Sequence, residues 1–178
     1  MIVAAWMAQP WWEYAFLSDD SPVSWLSSAL LMGNAVLAFK LTLDDALPRW
    51  LGYGSTCALL LLTVDEQFML HERYKHMRLL QLSSSHTVLA GWLADVPILL
   101  LALGGVAFAW MFSRAVPGRA AKNLIYVAVV LGVFAVWIDV GHPPTWIARL
   151  EEAYEVLAES LFLSGLLAVR SVQVQSSS

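Results

Sequence analysis

The segment TVDEQFMLHERYKH, residues 63–76, closes an apolar run with Asp65, Glu66, His71, Glu72 and His76. Read as a helix, it places Asp65, Glu72 and His76 within about 40° of one another. Glu72 and His76 stand four apart, a spacing at which two side chains can share one ion or one proton. His71 and Glu66 point to other sides. A second acidic segment, RLEEAYEVLAESLFLSG at 149–165, puts Glu152, Glu155 and Glu159 on one helical face, with Glu151 turned toward Arg149 or solvent. A carboxylate as deep in an apolar run as Glu159 costs about 3 kcal/mol to insert, so it must face other helices and find a partner or hold a proton.

Two more acids belong to the same level: Asp95, at the start of one apolar run, and Asp139, at the end of another with His142 close behind. Carboxylates mixed with imidazoles suit Zn, Fe or Mn. In that chemistry His71, Glu72, His76, Asp139, Glu152 and Glu155 are the candidate ligands of a divalent metal, and Asp65 and Glu159 the candidate catalytic bases. Helical di-metal sites use Glu and Glu-x-x-His from facing helices; here the spacings are Glu-x-x-x-His and Glu-x-x-Glu. His86 follows three serines and reads as a loop or cap residue. Nucleophilic catalysis has little to work with. Cys57 has no base near it in sequence, Ser160 and Ser164 read as packing or back-bonding residues, and there is no glycine-rich phosphate loop.

The elements that must carry these residues are membrane helices. Of 178 residues, 59% are hydrophobic and 13% charged, and the mean hydropathy is +0.65, too apolar to cover a soluble domain. Five segments are long enough to cross about 30 Å of hydrocarbon: 23–43, 47–72, 88–112, 123–140 and 147–169. Breakers such as DDALP, QLSSSH, RAVPGRAAK and GHPPT separate them. The expected fold is all-α, a single polytopic transmembrane bundle of about five spans. Residues 1–20, rich in Trp and without Lys or Arg, read as an interfacial segment and not as a cleaved signal peptide; 171–178 read as a polar tail. Asn34 is expected to make an interhelical hydrogen bond and Lys40 to snorkel from a helix end. Asp44 and Asp45 read as a helix cap before Pro48, and Gly104-Gly105 as a site of close helix packing. One cysteine excludes an internal disulfide, and no basic patch suits nucleic acid.

Five spans put the termini on opposite sides. The N-terminal side then holds Arg73, Lys75, Arg78 and Arg149, and the other side six basic residues, which favours N-out and C-in. The acids are far more lopsided. All but Asp44 and Asp45 of the fourteen fall on the N-terminal side, with all four histidines. Four bases cannot neutralise them, so the surplus must be wet, protonated or holding a cation.

The motif DEQFMLHE, 65–72, taken with LEEAYEVLAES, 150–160, resembles a pattern in small uncharacterised bacterial inner-membrane proteins, D-[DE]-x-[FL]-x-[LM]-H-E at the end of one span and a Glu-rich opening to the last. The resemblance implies a bacterial inner-membrane location and treats His71 and Glu72 as a unit; it implies no activity. Three functions fit the sequence. The leading one is a metal-binding membrane protein, or a metal-dependent enzyme on a lipid or small hydrophobic substrate. The alternatives are proton- or cation-coupled transport, and an accessory subunit of a larger membrane complex. Besides the bilayer, the partners expected are a second copy or that complex.

Overall fold

A computed structural model describes residues 22–68, 70, 73–74, 88–116, 118–141, 147 and 150–177. The described residues form five helices and no strand: α1 Pro22–Leu43, α2 Arg49–Phe68, α3 Val88–Ala115, α4 Arg119–Gly141 and α5 Glu151–Ser177. Each overlaps one of the five expected segments, and α5 runs on through the polar stretch after Val169. The interfacial segment expected at 1–20 lies outside the described residues. Among the described residues, three stretches are long and apolar enough to cross a membrane: Pro22–Leu43, Ile98–Ala115 and Arg119–Ile138. The acids at the end of α2 and the start of α5 dilute the hydropathy of those two helices.

α1 stops in a hydrogen-bonded C-cap. Ala46 N donates to Leu41 O at 2.8 Å and Asp45 N to Thr42 O at 3.2 Å, with Asp45 in the left-handed region at φ 53°. The cap expected of the Asp44-Asp45 pair is therefore the end of α1, and it turns the chain sharply into α2. That turn lays α1 and α2 together as a close hairpin. Gly52 is what allows the approach: a Cβ there would collide with the side chain of Thr42. Gly165 plays the same part between α5 and α4, where a Cβ would come within 2.7 Å of Ile125 Cδ1.

α1 packs against α2 on one side and α5 on the other; α5 packs against α4, and α4 against α3. α3 barely reaches α2. The helices therefore form an open horseshoe, in the order α2, α1, α5, α4, α3, with a seam between its two ends. Core residues such as Leu41, Phe112, Ile125 and Leu166 fill the helix interfaces. The outer surface is apolar on every helix: Trp25, Leu61, Leu103 and Val130 are each about two-thirds exposed. Apolar surface on this scale calls for lipid around it. The buried face of α1 is mixed, carrying Ser24, Ser27, Ser28, Asn34 and Thr42 beside apolar residues such as Leu31 and Leu41. Several buried hydroxyls are satisfied within their own helix, Thr42 donating to Ala38 O at 2.7 Å and Thr63 to Leu59 O at 2.8 Å.

Candidate functional site

The horseshoe borders a half-open cavity of about 540 Å³ to which all five helices contribute, within the usual range of ligand pockets. Its walls are almost wholly apolar, with Leu59, Leu62, Leu101, Phe108, Val133 and Phe162 from four helices. Small residues keep it open. Gly54, Gly104 and Gly132 all line it, and a Cβ at any of them would meet nothing within 4 Å. Gly104-Gly105 is therefore not a place of close helix packing: Gly104 faces open space, and a Cβ on Gly105 would only touch Val129 at 3.9 Å. Along α2 the lining runs from Trp50 to Glu66, about 24 Å at 1.5 Å per residue. Gly54 and Ala58 on α2 and Leu100 and Leu101 on α3 line the cavity, and these two helices scarcely touch each other.

One end of this chamber is acidic. Asp65 and Glu66 arrive from the end of α2, Glu155 and Glu159 from the start of α5, and none of the described lining residues is Lys, Arg or His. Glu66 lies near enough to act on both Glu155 and Glu159 through its charge. Glu66, read from its helical angle as pointing away from Asp65, thus shares the chamber with it. A cavity bounded by five helices is wide enough to accept two adjacent residues of one helix.

Glu159 is held across helices. It sits eight residues beyond the start of α5, about 12 Å along the helix. Ser27 Oγ donates to Glu159 Oε1 at 2.7 Å, so the buried carboxylate has the partner its depth requires. Asn34 Nδ2 donates to the Glu159 backbone oxygen at 3.1 Å, the interhelical bond expected of Asn34. Ser27 and Asn34 are seven residues apart and so lie on one face of α1; that spacing was the signal in the sequence for Ser27. Two acceptors are left over: Asn34 Oδ1 and Glu159 Oε2 are buried without a hydrogen-bond partner.

Among the candidate site residues, Asp65, Glu155 and Glu159 are brought together on the chamber. Glu152 is half-buried outside its lining, though its charge reaches Glu155. His71, Glu72 and His76 lie outside the described residues, as do His86 and His142, and the side chain of Asp139 is likewise not described. Among the described residues no three of His, Cys, Asp and Glu stand close enough to hold a metal ion. Ser164 back-bonds to Ser160 O at 2.8 Å, as its place in the helix suggested.

A family model described as "Domain of unknown function (DUF8692)" matches residues 1–169. The chain belongs to that family. The matched stretch holds every described residue that lines the chamber. No curated protein and no solved structure matches the chain.

Proposed function

We propose that this is a five-span protein of the bacterial inner membrane, N-terminus out and C-terminus in. Its interhelical chamber takes in a lipid or a small hydrophobic molecule from the bilayer. The observation that carries the reading is the chamber itself: apolar for most of its length, acidic at one end, and bordered by a seam between α2 and α3. An apolar molecule enters laterally and lies along the glycine-lined wall, with its polar end against the carboxylates. Asp65 and Glu159 stand there as the acid–base groups of any reaction.

A divalent metal is the second reading. It keeps the ligand set His71, Glu72, His76, Asp139, Glu152 and Glu155 expected from the sequence, and is favoured by Glu155, which lines the acidic end of the chamber. Elemental analysis decides it: purified protein without stoichiometric Zn, Fe or Mn removes the metal.

The chamber is tested by purifying the protein from membranes and identifying co-purified apolar molecules by extraction and mass spectrometry. Gly104→Leu directs a bulky side chain into the space. It is expected to fold and to lose the bound molecule. A wild-type protein that carries no apolar molecule above the detergent background, or a Gly104→Leu variant that keeps the same one, overturns the reading.

A further inference from the structure

We propose that the chamber selects a molecule whose polar end is a protonated primary amine carried on a hydrocarbon chain; the inference rests on the chamber taking up apolar molecules. The two unpartnered acceptors carry it. Asn34 is fully buried, and its amide cannot turn over, because Nδ2 is committed to the Glu159 backbone oxygen and a flipped amide would set oxygen against oxygen. Its Oδ1 therefore stays an acceptor, and it has no donor. Glu159 uses one carboxylate oxygen on Ser27, and the other is buried with no donor either. Both residues line the same cavity. A buried acceptor left without a donor is destabilising, so a ligand that supplies donors gains what the free protein lacks.

The chemistry of the end group follows by comparison. A primary ammonium has three N–H donors and no lone pair, enough for both acceptors at once. Its positive charge meets an end whose ionisable lining residues, among those described, are the four acids Asp65, Glu66, Glu155 and Glu159. A hydroxyl brings one donor and two lone pairs of its own. A phosphate or carboxylate brings negative charge against four carboxyl groups. A quaternary ammonium has no N–H to give, and it is recognised by aromatic faces. A bare divalent cation wants several oxygens at once, and the described residues supply no such group. The apolar length of the chamber then takes the chain that the amine is attached to.

The test uses the full chain in a non-ionic detergent with an apolar fluorescent probe, diphenylhexatriene, bound in the chamber. Dodecylamine, dodecanol, dodecyltrimethylammonium and dodecyl phosphate compete for it at neutral pH. Dodecylamine is expected to displace the probe at a concentration about tenfold lower than the other three. In Glu159→Gln the preference for the amine over dodecanol is expected to fall away. Equal competition by amine and alcohol, or a preference undiminished in Glu159→Gln, overturns the amine and leaves the chamber standing. A probe bound equally by wild type and Gly104→Leu, and displaced by none of the four, overturns the chamber and the amine with it.

Discussion

Ser27 Oγ and Glu159 Oε1 meet at 2.7 Å across 132 positions of sequence, tying the first described helix to the last. A carboxylate inside a bundle is held there by what it touches, and Ser27 is its one hydrogen-bonded side-chain partner among the described residues. Ser27→Ala leaves that oxygen unsatisfied and is expected to destabilise the fold by about 1–3 kcal/mol. Glu159→Leu removes the buried acceptor, so Ser27→Ala in that background is expected to cost much less. A double-mutant cycle on unfolding in detergent measures the coupling, expected above about 0.5 kcal/mol. Additive single effects would mean that the bond contributes nothing.

The glycines divide into two kinds with opposite expected outcomes. A Cβ on Gly52 would meet Thr42 Cβ at 2.7 Å and Cγ2 at 2.9 Å. Thr42 is buried and its hydroxyl is engaged with Ala38 O, so it has nowhere to move. Gly52→Ala is expected to cost about 1–3 kcal/mol through overpacking. Gly104→Ala meets nothing within 4 Å and should be neutral or gain up to about 1 kcal/mol of helix propensity. Thermal midpoints in detergent check both. A Gly104→Ala as damaging as Gly52→Ala would show that the chamber wall is closed.

Why the helices were legible and the chamber was not is a matter of what glycine says. Prolines, glycines and serines mark the helix ends clearly, and α1 begins and ends within a residue of the expected span. The acidic segments also pointed to Asp65, Glu155 and Glu159, which line one chamber. A glycine inside an apolar helix, however, has two meanings that sequence cannot separate. At Gly52 and Gly165 a neighbouring helix presses close; at Gly54, Gly104 and Gly132 nothing does. Only the position of the opposing helix decides, and here α3 stands away from α2. Glu66 shows a related limit. Its angle separates it from Asp65 on a helix wheel, but the space they face is broader than one helix contact.

The turn between α1 and α2 depends on Asp45 at φ 53°. Left-handed backbone is open to Gly and tolerable for Asp, but strained for a β-branched residue. Asp45→Gly is expected to stay within about 0.5 kcal/mol of wild type, since relief of strain offsets the added freedom of the unfolded chain. The ion pair it gives up, Arg49 Nε to Asp45 Oδ1 at 3.8 Å, is exposed on both sides and contributes little. Asp45→Val is expected to lose about 1–2 kcal/mol. Equal stability of the two variants in urea or thermal unfolding would show that the backbone there is not left-handed.

Whether α2 crosses the bilayer can be read from its own thiol. Cys57 is free, exposed, and in the middle of α2. In a spanning helix that position faces hydrocarbon, which a charged, membrane-impermeant maleimide does not enter. Ser171, exposed in the polar end of α5, is the reference site. In Cys57→Ala/Ser171→Cys the reagent is expected to label inside-out vesicles and not intact cells, as C-in requires. Native Cys57 is expected to stay unlabelled from either side until the membrane is dissolved. Ready labelling of Cys57 in sealed vesicles would put α2 in water and end the five-span reading; labelling of Ser171→Cys in intact cells would reverse the orientation.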